Sequence, residues 1–106
     1  MSVEIENAHM VKTERGGWTP DPPMDESWSD LVKLKWHAAL VRSKTGINVT
    51  VHRQPQDHQG DYYQTTLRGT GWFIATVHTY RNAWTYLNGV EAGAKAAQQL
   101  RRQSDP

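Results

Sequence analysis

The clearest pattern of apolar and polar residues lies between Gly71 and Arg102. An apolar, β-prone run at 72–77 is followed by apolar residues at steps of three and four, which is the helical period. The members of this helical stripe are Tyr80, Ala83, Trp84, Leu87, Val90, Ala94 and Ala97. The pattern predicts a strand at 72–78 and a helix from about Arg81 to Gln103. A strand at 83–87, turned by Asn88-Gly89, is the competing interpretation.

One edge of this predicted helix carries only small residues, Gly89, Gly93 and Ala97, each four positions apart. Glycine in a helix interior costs about 1 kcal/mol relative to alanine, so two at this spacing indicate close approach to the sheet or to another helix. We therefore expect this edge to support a homodimer formed through the C-terminal helix.

Two further strands are predicted before that run. Ile47, Val49 and Val51 alternate with polar residues, as in a half-buried strand. A second strand spans 61–68, with Tyr63, Thr65 and Leu67 expected to face the helix. A polar connection at 53–60 and the turn at 69–71 separate these strands from their neighbours.

The signals conflict between Leu31 and Arg42. Leu34, Trp36, Ala38 and Leu40 alternate with other residues like a strand, whereas the same stretch also fits a helix capped by Ser27 or Ser29. We favour a strand beginning at about Leu34, because residues 43–46 end in glycine and have the character of a hairpin turn.

Residues 1–26 form the predicted N-terminal arm. Three prolines at 20–23 exclude a helix or a central strand there. Seven of the eleven acidic residues but only two of the twelve lysines and arginines lie in residues 1–30, so an acidic arm precedes a basic body. The predicted fold is α+β: a largely flexible arm over 1–26, and one domain over 27–106 that combines an antiparallel meander of three to four strands with one long C-terminal helix on one face.

The segment from Asn48 to Arg102 resembles the YegP-like small domains in type and spacing. The residues that carry the resemblance are Gly60-Asp61-Tyr62, Gly71, Ile74-Ala75-Thr76, Tyr80 and Asn88-Gly89-Val90. The chain departs from that pattern at Thr70, where the family usually has asparagine, and at Arg81-Asn82, where it has Ser-Lys. The resemblance implies a three-stranded antiparallel meander under one helix, and dimers or tandem repeats of that unit. It supplies no catalytic residue.

Candidate chemistry is sparse. The chain has no cysteine, which excludes disulfides and thiolate chemistry. No secretory signal, membrane span, phosphate loop or nucleophile motif is present, so we expect a cytoplasmic protein that is not an enzyme and needs no cofactor. His52, Asp57, His58 and Asp61 contain metal-ligating groups, but their spacing matches no known site, and we predict no metal.

Nucleic-acid binding is one functional hypothesis. If the helix covers one face of the sheet, the other face would present basic and aromatic groups suited to phosphates and unpaired bases. The residues assigned to that face are Lys33, Lys35, His37, His52, Tyr62 and Arg68.

Protein binding is the favoured hypothesis, with no small-molecule substrate. Five tryptophans in 106 residues exceed what a small core needs, and tryptophan is a frequent interface anchor. Trp18 and Trp28, beside the prolines of the arm, and the edge formed by Gly89, Gly93 and Ala97 are the expected contact residues. A small chain without catalytic motifs would suit an accessory or inhibitory protein of the kind that phages encode.

Overall fold

The computed structural model describes residue 5, residues 7–54 and residues 62–104, with the backbone alone described at 54 and 101–104. Within these residues the chain is an α+β protein with two antiparallel sheets and two helices. The elements are β1 (His9–Lys12), β2 (Trp18–Asp21), α1 (Asp30–Thr45), β3 (Asn48–Gln54), β4 (Tyr62–Gly69), β5 (Trp72–His78) and α2 (Tyr80–Ser104). None of the described helices is long and apolar enough to cross a membrane.

The three-stranded sheet has the order β3-β4-β5, with both neighbouring pairs antiparallel. Val49 lies opposite Leu67, and Leu67 lies opposite Ile74, so these three side chains share one face. Within the described residues the three predicted strands are thus confirmed, at Asn48–Gln54, Tyr62–Gly69 and Trp72–His78, as are the faces predicted for the first two. Gly71 provides the positive φ of 78° in the two-residue turn between β4 and β5.

The segment over 31–42 is a helix, so the favoured strand is wrong. Ser29 caps the N-terminus of α1, where its Oγ accepts the Val32 N–H at 3.3 Å. Gly46 does need a positive φ, 76°, but it ends the helix as a left-handed cap and donates to the Arg42 carbonyl at 2.8 Å. The residues that suggested a hairpin turn are therefore the signal of a helix C-terminus.

Helix α1 lacks a continuous polar face because it is covered from several sides. Six consecutive residues, 36–41, are buried. Leu34, Ala38 and Val41 pack with the strands of the sheet and with Ala83 and Leu87 of α2. On another side of α1, a second cluster joins residues of α1 to residues near the N-terminus. Its buried members are Ala8, Trp36, Ala39 and Leu40, with Ile5, Met10, Met24 and Trp28 packed against them.

The N-terminal segment contains the hairpin β1–β2, where the sequence predicts a largely flexible arm. His9 pairs with Asp21 and Lys12 with Trp18. At the turn, the Thr13 N–H donates to the Gly17 carbonyl at 2.7 Å. Pro20 lies in a sheet of two strands, both of which are edge strands, so its missing N–H removes no bond from a central strand. The apolar residues of this segment pack against α1 and help to hold the hairpin there.

Helix α2 begins close to its predicted start and runs for 25 residues, which excludes the alternative strand at 83–87. Ala83 and Leu87 are fully buried, and Glu91 joins α2 to α1 through an ion pair of 2.9 Å with Lys44. Over residues 92–100 most side chains of α2 are exposed, because α1 and the sheet cover only the first half of the helix. Both helices lie on the same face of the three-stranded sheet.

Candidate interaction surface

The largest concentration of exposed apolar side chains lies on β5. Trp72 is 47% exposed, Phe73 57%, Ile74 47% and Val77 49%. Isolated exposed apolar residues are normal on protein surfaces, but four on one seven-residue strand are a concentration of the kind found at interaction sites. We call Trp72, Phe73, Ile74 and Val77 the β5 surface.

The β5 surface extends over both faces of the sheet. Trp72 and Ile74 lie opposite Gly69 and Leu67, on the face that the helices cover. Phe73 and Val77 point to the other face, because side chains alternate along a strand. Helix α2 covers only the His78 end of the strand, where the rings of His78 and Tyr86 lie 4.8 Å apart. Trp72 and Ile74, at the other end, are left about half exposed.

Strand β5 is also an edge strand, with β4 on one side and no other strand of the described residues on its other side. An edge strand presents unpaired N–H and C=O groups, and proteins commonly protect it with charges, proline or a bulge. Between Trp72 and His78 there is no Lys, Arg, Asp, Glu or Pro, and the register with β4 continues without a bulge. The edge can therefore accept another strand.

Two contacts order the Trp72 end of this surface. The indole of Trp72 lies so close to the Cα of Gly69 that a side chain at 69 would collide with the ring. On the opposite face, the guanidinium carbon of Arg68 lies 5.3 Å from the centre of the Phe73 ring, which is a cation–π distance. The aromatic side chains of the β5 surface are thus positioned by their neighbours on β4.

The tryptophans predicted to bind a partner have different environments. Trp18 is 66% exposed at the start of β2 and is open to solvent. Trp28 is half-buried against the cluster of Ala8, Trp36, Ala39 and Leu40, so part of its apolar surface serves the chain's own core. Neither residue belongs to the β5 surface.

The small-residue edge of α2 is open among the described residues. Gly89, Gly93 and Ala97 are all exposed, and a Cβ atom added at either glycine would meet no atom within 4 Å. The expected close approach of this edge to the sheet is wrong. An approach to a helix of a second copy stays a prediction.

The basic residues assigned to the outer face of the sheet do not lie together. Lys33, Lys35 and His37 are on α1, so their placement on a strand is wrong, and Lys33 pairs with Glu26 at 3.4 Å. The sheet brings only part of the set to its outer face, namely His52, Tyr62 and Arg68. Of these three, only Arg68 is a lysine or an arginine.

His37 is buried between the two helices. Its ring lies 4.2 Å from that of Trp84, and its Nδ1 has no hydrogen-bond partner among the described residues. Burial lowers the pKa of His37 to about 4, against the opposing effect of Glu91. The imidazole is therefore neutral at physiological pH and cannot contact a nucleic acid.

Two open clefts flank Arg42 of α1. One is lined by Asn7, Ala8, His9, Ala39, Arg42 and Ser43, and the other by Ile5, Lys35, Ala38, Arg42, Thr50, Val51 and His52. The guanidinium of Arg42 donates to the Val49 carbonyl at 2.7 Å, which gives this residue a structural role at the start of β3.

No set of three metal-ligating side chains occurs in the described part of the chain. Asp57, His58 and Asp61 of the histidine- and aspartate-containing connection lie outside the described residues, whereas His52 is an exposed residue of β3.

Comparison with known proteins gives no relative: no family model, no curated protein and no solved structure matches the chain. The resemblance to the YegP-like domains therefore stays a prediction that depends on the residues quoted for it. The β5 surface was missed in reasoning from the sequence. Its signal is the run at 72–77, which is apolar at consecutive positions instead of alternating, and so predicts apolar side chains on both faces of the strand.

Proposed function

We propose that the protein is a non-enzymatic interaction module that binds a polypeptide strand along the free edge of β5. The four half-exposed apolar side chains of the β5 surface carry this proposal, because they flank a strand edge that has no protecting charge. Added strands gain affinity from main-chain hydrogen bonds and specificity from alternate side chains on each face. An accessory or inhibitory role fits such a module.

The proposal differs from the hypotheses drawn from the sequence in where it places the contact. Trp18 can extend the interface, since it is exposed, but it stands alone on β2. The β5 surface offers four apolar side chains together with a row of backbone donors and acceptors. A larger apolar area removed from water favours the surface on β5 as the centre of binding.

The test is affinity capture of partners from lysate of the source cells, using the full-length chain and two double variants. Phe73→Lys with Val77→Lys places two charges on the outer face of β5. Asn48→Lys with His52→Lys is the matched control, because these exposed residues are also four apart and lie on the same face of the opposite edge strand. We expect bound proteins to be lost with the first variant and kept with the second.

The same variants separate protein binding from nucleic-acid binding, the second candidate function. His52, Tyr62 and Arg68 on one face of the sheet support that candidate. Nucleic-acid binding would be favoured if the affinity for fluorescent single-stranded DNA fell steeply with salt and rose in both lysine variants. Added positive charge increases affinity for phosphates. Equal capture of partner proteins by all three chains would overturn the placement of the site on β5.

A further inference from the structure

We propose that the strand that occupies the free edge of β5 is the β5 strand of a second copy of this chain. The two copies would run antiparallel and join their three-stranded sheets into one six-stranded sheet. This inference rests on the proposed function and names the partner. It places the two-fold contact on the sheet edge, not on the exposed glycines of α2.

The side chains of β5 are complementary to those of its own antiparallel copy. All seven residues of the strand are paired only when Ala75 lies opposite Ala75 of the copy. Phe73 then lies opposite Val77, Ile74 opposite Thr76 and Trp72 opposite His78. Aromatic side chains paired with β-branched ones are among the favourable cross-strand pairs. The arrangement forms two Phe73–Val77 pairs on the outer face, one on each side of the axis.

This register also covers the part of β5 that its own helix leaves open. Residues directly opposite in an antiparallel pair point to the same face, so both copies would place their helices on one side of the joined sheet. Helix α2 packs on the His78 end of β5, where Tyr86 contacts His78. In the dimer the exposed Trp72 of one copy therefore lies beside the helix-covered end of the other.

The charges near the edge do not oppose the contact. The strand itself carries no Lys, Arg, Asp or Glu. The nearest cation on the adjacent strand is Arg68, whose guanidinium stacks on Phe73 near one end of β5. The two-fold axis places the second Arg68 at the opposite end of the interface, so the two positive charges are kept apart.

Disulfide cross-linking tests the register, and the absence of cysteine from the natural sequence makes it specific. In the full-length chain, exposed Ala75 is changed to Cys, and Asn48→Cys on the other edge of the sheet is the control. Mild oxidation should link most of the Ala75→Cys chain into a dimer and little of the control, because the Cα atoms of opposite residues lie within disulfide range. Equal cross-linking of the two variants would overturn the register.

Sedimentation equilibrium over a concentration series tests the interface independently. The Phe73→Lys, Val77→Lys chain places lysine opposite lysine and should weaken dimerisation at least about tenfold. The Phe73→Lys, Val77→Glu chain places each lysine opposite a glutamate of the copy and should recover most of that loss. The Asn48→Lys, His52→Lys chain should dimerise like the natural sequence.

The outcomes separate this inference from the proposed function. A natural chain that stays monomeric at its highest soluble concentration overturns the dimer, while loss of captured partners from the lysine variant would still support strand binding on β5. A dimer that the Phe73 and Val77 variants leave unchanged also overturns the inference, because the copies would then meet elsewhere. If a variant proves unfolded by circular dichroism, Ala75→Lys takes its place. This change also places lysine opposite lysine and should likewise weaken dimerisation.

Discussion

His37 lies where α1 and α2 meet, in a position that favours its uncharged form. The ring packs on Trp84, while Lys44 and Glu91 form an ion pair in the same interhelical region. Desolvation lowers the pKa of His37 to about 4, against an ordinary value of 6.5. The carboxylate of Glu91 opposes that shift but does not overcome it, so charging His37 works against the contact of the two helices.

We predict that His37 makes the stability of the protein depend on pH between about 6.5 and 4. Over this range the unfolded chain takes up a proton on His37 and the folded chain does not, so the free energy of unfolding falls as the pH falls. The full loss is on the order of 3 kcal/mol and is reached below pH 4, where both states are protonated. Urea unfolding at a series of pH values measures it.

The matched variants are His37→Gln, which cannot titrate, and His52→Gln, which makes the same change on an exposed strand position. The His37→Gln chain should show a flatter pH profile, whereas the control should keep the natural one. A His37→Gln profile with the natural slope would mean that another group takes up the proton.

At the scale of elements, the two glycines within α2 are unusual because nothing in the described chain requires them. Gly89 and Gly93 are exposed, have no positive φ, and have open space where a Cβ would lie. Glycine in a helix loses more backbone entropy on folding than alanine does. The helix therefore carries a cost in this chain that no internal packing offsets.

We predict that Gly89→Ala and Gly93→Ala each raise the free energy of unfolding by roughly 1 kcal/mol. Gly46→Ala is the control, for which the free energy of unfolding should change in the opposite direction. A Cβ at 46 would also meet open space, but φ there is 76°, so alanine should destabilise the cap of α1 by about 1 kcal/mol. Chemical unfolding of the three variants at one protein concentration gives the comparison. Destabilisation by alanine at 89 and 93 would instead favour a helix-to-helix contact between copies through this edge.

The helices and strands differ in how far the sequence predicts them. Strands β3 and β4 and helix α2 each have a solvent-facing side, and their alternation or helical period is visible, whereas β5 is recognised by its apolar, β-prone run. Helix α1 is covered by the sheet, by α2 and by the N-terminal segment, so its apolar residues follow no single period and resemble a strand between Leu34 and Leu40. Its caps, Ser29 and Gly46, were the better evidence. The β5 surface could be found only once β5 was known to lie at an edge, because edge position depends on strand order.

At the scale of the whole molecule, α1 is the central element and the N-terminal segment is part of the fold. The Trp36 indole N–H donates to the Pro22 carbonyl at 2.7 Å, and Ala8 is buried beside Trp36 and Leu40. The acidic residues of the segment contribute less to this contact. The pair of Glu26 with Lys33, at 3.4 Å, is largely exposed on the glutamate side, and exposed ion pairs stabilise little.

We therefore predict that a chain beginning at Asp25 is strongly destabilised. It lacks the four apolar residues 5, 8, 10 and 24, which cover Trp36, Ala39 and Leu40, and it leaves the indole N–H of Trp36 without the Pro22 carbonyl. Re-exposing these partly buried side chains and their partners should cost roughly 3–5 kcal/mol. Urea unfolding followed by circular dichroism measures the loss.

Ala8→Asp in the full-length chain should reproduce a large part of this loss of stability, because it introduces an unpaired charge into the same cluster. Trp18→Ala, at an exposed position of the same hairpin, should change stability by less than about 0.5 kcal/mol. If the shortened chain were as stable as the full one, the prediction of a largely flexible arm over 1–26 would stand, and the packing of Ala8 against α1 would contribute nothing to the fold.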